Sequence, residues 1–195
     1  MSKNSAMASK KKFVTKLFHF LLYPLLRWPW RFLGRMTAPV PPGLWLINTF
    51  VQRIYQINAD APCMVHFTSR VDGKISIGQN VWKSFAFSGG CYIQGRNGVT
   101  IGDDTRFAPG VKITSANHDP SDLSKWENTQ PITIGKRCWI GANAVILPSV
   151  ELGDDVIARD GAVVTKSFSR GSIIAGVPAE VISTSGRESI NTGSG

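Results

Sequence analysis

Residues 134–168 read IGKRCWIGANAVILPSVELGDDVIARDGAVVTKSF. Ile134, Ile140, Ile146, Leu152, Ala158 and Val164 fall at six-residue intervals. Four places after each come Cys138, Ala144, Val150, Val156, Ala162 and Phe168. Gly follows the first position at Gly135, Gly141 and Gly153. An amphipathic helix needs apolar residues at spacings of three and four, and a half-buried strand needs strict alternation. A pure six fits neither. It suits a chain that makes a short strand, turns, and stacks coil on coil, with the first and fifth positions of each six pointing inward.

The same register runs upstream. Val65, Val71, Ile77, Ile101, Phe107 and Ile113 lie on one count of six. Ser69, Ile75, Val81, Phe87, Ile93, Val99, Thr105, Val111 and Asn117 lie on its companion. Lys83, Gly89 and Gly95 spoil the first count for three sixes, while the companion stays apolar there. Residues 118–133 fit neither count and read as a loop pushed out of the stack. Nine sixes precede that break and six follow it; the rival reading is a run of hairpins with accidental spacing.

The repeat, with the segments NHD at 117–119, PITIGKRCWIGANAVILPSV at 131–150, VVTK at 163–166 and AGVPAEVI at 175–182, resembles the hexapeptide-repeat acyltransferases. The likeness covers roughly 65–182 and is nearest to the maltose and galactoside O-acetyltransferase type. In that family three sixes form one coil. The resemblance therefore implies an all-β fold, a left-handed parallel β-helix of about five coils; the N-terminal helical, membrane-associating segment expected before it rests on its own residues, given below.

Charge is distributed unevenly along the 195 residues. The formal net charge is +9, yet residues 1–59 hold nine Lys and Arg and no acid. From Asp60 onward 13 basic residues face 13 acidic ones. The repeat domain is neutral, and the excess marks a tail that meets an anionic partner. Cys63, Cys91 and Cys138 show no paired spacing, which suggests a reducing compartment.

Residues 13–26 (FVTKLFHFLLYPLL) are apolar but too short to span a bilayer, and Lys16, His19 and Pro24 interrupt them. Lys12, Lys16, His19 and Tyr23 share one helical face, and apolar residues cover the rest. Lys10, Lys11, Lys12, Arg27, Arg31 and Arg35 flank the stretch, with Trp28 and Trp30. The pattern predicts a helix lying in the interface of an anionic membrane. Its competitors are a cleaved signal peptide, a helix packed on the protein's own trimer, and a nucleic-acid arm with no use for the apolar face. The expected organisation is a membrane-associating segment over 1–36, then a Pro-rich connector and capping helix over 37–62, the helix spanning 44–57. The repeat domain follows over 63–182 and a flexible tail over 183–195.

The resemblance places the chemistry beside the loop. The family's general base falls on His118, which would deprotonate an acceptor hydroxyl for attack on acetyl-CoA. The oxyanion donor falls on the backbone N–H of Ala142. Acceptor-binding positions match Ser88, Asn117, Asp119 and Glu127; Asp119 is the expected orienter of His118. Ser88 stands where the family carries Asn, and with Gly89 and Gly90 would widen the acceptor pocket. Coenzyme positions match Trp139, Ala142, Arg159, Asp160, Thr165 and Lys166. The chain departs from the family at Arg159-Asp160-Gly161 and at Glu180, which removes one nucleotide partner; Arg170 is the candidate to compensate.

The implied activity is acetyl-CoA-dependent O-acetylation of a sugar hydroxyl, without a metal, by a homotrimer with sites between subunits. The N-terminal segment points to a lipid-linked polysaccharide precursor and to a cytoplasmic location, peripheral on the inner face of the cell membrane. A soluble enzyme acting on free sugar, serine or an antibiotic is the first rival, and a non-catalytic β-helix binding module the second.

Overall fold

The computed structural model describes residues 40–185. The expected membrane-associating segment over 1–36 and most of the expected tail lie outside the described residues.

The repeat folds as the count of six requires. Strand β8 (Trp139–Ile140) pairs in parallel with β11 (Ile157–Ala158), and β9 (Val145–Ile146) with β12 (Val163–Val164). Strand β10 (Glu151–Leu152) pairs with β7 (Ile132–Ile134) in the same way. Partners in all three pairs are 18 residues apart, so three sixes complete one circuit. All twelve residues of the two counts from Ile134 to Phe168 are buried. They stack in columns; each fully buried Ile or Leu contributes about 1.5–3 kcal/mol.

The turns obey a rule of their own. Arg137, Asn143, Ser149 and Asp155 have positive φ, as does Gly161, one per six and each just before an inward residue. A left-handed residue at each corner swings the chain from one face to the next. The glycine after each first position serves close approach. A Cβ on Gly135 would lie 2.6 Å from the Gly153 carbonyl carbon and from the Asp154 nitrogen in the next coil.

Upstream, the circuit is longer. Strand β1 (Arg70–Ile77) pairs with β2 (Tyr92–Ile101), Val71 opposite Ile93 and Ile77 opposite Ile101. Strand β4 (Lys112–Thr114) follows, with Ile93 opposite Ile113 and Ile113 opposite Ile146. Val71, Ile93, Ile113, Ile146 and Val164 thus form one column. Ile93 belongs to it although it sits on the companion count, because extra residues shift the register. On the third face, β3 (Arg106–Phe107) leads to β8, β11 and β13 (Ser172–Ala175).

Three expectations need correction. The six starting at Trp82 winds helix α2 (Trp82–Phe87), because Trp82, Phe85 and Ala86 stand at helical spacing and are buried. Phe85 packs edge-on against Phe107, with centroids 5.0 Å apart, while Phe87, expected inward, is exposed. Helix α1 covers Pro42–Arg53 rather than 44–57, and buries Trp45, Asn48 and Gln52. The repeat sheet extends past 182, since β14 (Glu180–Thr184) pairs antiparallel with β13.

A second, small core of Val40, Trp45, Met64, Trp82 and Ala86 joins α1 to α2. Asn48 fastens that contact, donating from Nδ2 to Ala86 O at 3.2 Å and accepting from Phe67 N at 2.9 Å.

Candidate active site

The break in the six-count is an excursion with a closed neck. Lys112 and Val145 pair at an offset of 33 residues against the usual 18, so 15 residues leave the stack. They fold as a hairpin of β5 (His118–Asp119) and β6 (Asp122–Trp126). Strand β7 begins at Ile132, inside the expected loop.

The neck is held from the coil below. Between Gly95 and Val99, β2 carries two residues more than β1 does between their partners Gly73 and Ile75. This insertion includes Arg96 and Asn97. Asn97 Nδ2 donates to Glu127 O at 3.1 Å and to Thr129 Oγ1 at 2.7 Å. Its own N–H donates to Ser115 Oγ at 2.9 Å, and Thr129 Oγ1 donates to Ser115 O at 2.6 Å. The two ends of the excursion are thereby tied to one asparagine.

His118 is exposed at the start of the hairpin. Its ring lies on Trp126, opposite it in β6, with centroids 3.9 Å apart and planes inclined by 33°. The Arg96 guanidinium sits 4.2 Å from the Trp126 ring centroid. The histidine is thus placed by ring stacking and by a cation over the indole. Trp126, Arg96 and Asn97 were not among the residues expected from sequence.

The other expected acceptor positions distribute unevenly. Glu127 is half-buried next to Trp126, and its N–H donates to Asn117 O at 2.9 Å. Asn117, expected inward, is exposed at the mouth of the hairpin. Asp119 is turned into its own bend, where Oδ1 accepts from Ser121 N at 2.7 Å and Ser121 Oγ at 2.6 Å. The Ser121 hydroxyl, then its N–H, holds that carboxyl below the usual range. The contact that His118 makes is thus with Trp126, while Asp119 is engaged by Ser121. Ser88 is not part of an open pocket: it ends α2, is buried, and donates to Phe107 O at 2.8 Å.

The expected coenzyme positions lie along the later coils. Trp139 is exposed on β8, and Arg159, Thr165 and Lys166 are exposed beyond it. Three of the expected groups already have partners within the chain. Ala142 N–H donates to Asp160 Oδ1 at 2.7 Å. The same contact recurs at Gln79 with Asp103 and at Lys136 with Asp154. Asp160 is therefore a coil-to-coil tie, and its carboxylate holds the N–H expected to meet an oxyanion. Lys166 Nζ binds both oxygens of Glu180, at 2.8 and 2.7 Å. Arg170 lies 3.1 Å from Asp155, which is buried and also accepts from Arg137 at 2.8 and 2.9 Å. Arg170 is thus paired within the chain, with its side chain 49% exposed.

Comparison with known proteins agrees with this architecture. The family described as "Hexapeptide repeat of succinyl-transferase" matches residues 131–166. Galactoside O-acetyltransferase of Escherichia coli is 37% identical over 112 residues, which are 55% of this chain and 53% of that protein. The chain thus spans about half the length of that relative. WbbJ of Escherichia coli, named for O-acetyl transfer in lipopolysaccharide biosynthesis, is 31% identical over 152 residues, 62% of this chain and 75% of WbbJ. The solved structure of AntD, an N-acyltransferase from Bacillus cereus, superposes with a TM-score of 0.54 at 20% identity. It covers 64% of this chain and 70% of AntD, a likeness of fold.

A stack of six-residue turns with an excursion bearing a histidine defines the class. The chain belongs to the hexapeptide-repeat acetyltransferase family.

Proposed function

We propose that the chain is an acetyl-CoA-dependent O-acetyltransferase that transfers acetyl to a sugar hydroxyl, with His118 as general base. The observation that carries this reading is the held imidazole. His118 is exposed, yet the Asn97 neck and the Trp126 ring fix its position on a rigid stack. An imidazole so placed accepts the hydroxyl proton as the oxygen attacks the thioester carbonyl. The tetrahedral intermediate then collapses, the C–S bond breaks, and the departing CoA thiolate takes the proton from the imidazolium. Trp139, Thr165 and Arg159 are the proposed coenzyme contacts, with Lys166 joining where phosphate displaces Glu180. Asn117 and Glu127 line the acceptor side.

The fold behind this reading is a left-handed β-helix of about five coils, and the working unit is a homotrimer with the site between neighbours. The acceptor class follows from two supports: WbbJ is named for lipopolysaccharide biosynthesis, and residues 10–35 are basic, apolar and aromatic. We assign the acceptor to a lipid-linked polysaccharide precursor at an anionic membrane, on its cytoplasmic face. Among the described residues no helix is long and apolar enough to cross a membrane.

The test is CoA release from acetyl-CoA against paired acceptors, the same glycan lipid-linked and free, with vesicles present. The reading expects transfer to the lipid-linked form to exceed transfer to the free form. Equal rates would return the enzyme to the small-molecule class, and no release with any hydroxyl acceptor would remove the enzymatic reading.

A further inference from the structure

Helix α1 turns a mixed face to the protein and an apolar face outward. Trp45, Asn48 and Gln52 face the protein. Gln52 accepts from Val65 N at 3.2 Å and donates to Asn58 O at 2.9 Å and Cys63 O at 3.1 Å. Asn48 makes the contacts to Phe67 and Ala86 given above. Two buried carboxamides therefore pin the helix through backbone groups of the chain around 58–67 and of α2. The opposite side is apolar and open. Leu46, Ile47, Phe50 and Ile54 point away, with Phe50 50% and Ile54 66% exposed. Tyr55 is 64% exposed and lies edge-on to Phe50, with centroids 5.5 Å apart. Four large apolar side chains on one open helical face are a binding surface rather than scattered exposure.

The charge of the chain selects what covers it. Residues 1–59 carry nine Lys and Arg and no acid, and α1 falls inside that stretch. The remainder of the chain is balanced at 13 basic and 13 acidic residues, so it offers no acidic surplus to receive the stretch. Eight of those nine basic residues lie in 1–35, ahead of α1, and the ninth is Arg53 at its C-terminal end. An apolar face that follows such a basic run matches a bilayer with anionic headgroups. We infer that the Leu46–Ile47–Phe50–Ile54 face of α1 is a membrane-docking surface that inserts at the headgroup boundary of an anionic bilayer. This rests on the membrane location proposed above and adds an orientation to it. Because Asn48 and Gln52 fasten α1 to the first coil, docking brings that end of the stack to the lipid. Strand β4, which leads into the hairpin bearing His118, is two strand pairings beyond β1, about 10 Å at ordinary strand spacing. The hydroxyl that reaches His118 is then carried close to the lipid headgroup.

The experiment is vesicle flotation of the full chain with phosphatidylcholine vesicles, with and without phosphatidylglycerol. Wild type is compared with Phe50→Asp/Ile54→Asp and with the milder Phe50→Ser/Ile54→Ser. Thermal melts and sedimentation velocity are run on each. Partition of both variants into anionic vesicles is expected to fall about tenfold or more, since each lost apolar insertion alone is worth that much. Their Tm, oligomeric mass and thioester consumption with a free acceptor should stay at wild-type values. Undiminished vesicle binding by a folded double variant overturns the inference and leaves the membrane location intact. A drop in oligomeric mass overturns it in favour of a second copy on this face. A wild type that binds no vesicle overturns both, while the acetyl-transfer reading is judged separately by its own assay.

Discussion

His118 sits against Trp126 on one hairpin, and Arg96 reaches that indole from another coil. If stacking aims the imidazole, Trp126→Ala should lower kcat about tenfold to a hundredfold, the range lost when a catalytic group is misplaced by an ångström or so. KM for acetyl-CoA should hold, and Trp126→Phe should recover most of the rate. An equal fall in Tm and in both kinetic constants would instead mark Trp126 as merely structural. The place of His118 at the start of the excursion was legible because NHD is a compact local motif at the break in the count. Its partners were not: Trp126 meets it only through the hairpin pairing, and Arg96 only through an insertion whose register one sequence does not reveal. The structural role of Asp160 was hidden for a related reason. Its carboxylate answers the N–H of Ala142 one coil earlier, so its role is visible only once the coils are stacked. Asp160→Ala is accordingly expected to cost about 1 kcal/mol of stability, read as a lowered Tm, with little change in donor KM.

At the scale of elements, two ties set the geometry. The Asn97 neck holds the excursion shut through Glu127, Thr129 and Ser115. Asn97→Ala should leave the stack folded while speeding hydrogen exchange in residues 118–127 and slowing turnover. The second tie is Asp155, a buried carboxylate between Arg137 and Arg170 on adjoining coils. Arg137, chiefly through its side-chain hydrogen bonds, holds this carboxyl below its usual value of 3.8. A carboxyl with a depressed folded value stabilises the native state above its unfolded value and loses that contribution as pH falls through the folded one. Asp155→Asn should therefore lower Tm at neutral pH, and the gap to wild type should close below about pH 3.8. A gap that persists unchanged into strong acid would contradict the ion-pair account.

For the whole molecule, the count of six carried most of the architecture from Ile134 onward, because every first and fifth position there is buried. Between Ile77 and Phe107 it misled, since α2 and the extra residues of β2 occupy the same length of chain without keeping the register. Which side of α1 meets the protein was not legible for a simple reason. Periodicity finds an apolar stripe but does not say whether protein or another medium covers it. The three thiols report on the integrity of the whole stack. Burial pushes Cys63 up to about 12 and raises Cys91 and Cys138. An aromatic disulfide reagent at mildly alkaline pH should find none of the three in the native protein and all of them in denaturant. The central claim, that the stack exists to hold one imidazole beside a thioester and an alcohol, is tested by CoA release in wild type and His118→Ala at saturating acetyl-CoA and acceptor. The account predicts a loss of about a hundredfold to ten-thousandfold with Tm unchanged; a folded His118→Ala protein that turns over at the wild-type rate would contradict it.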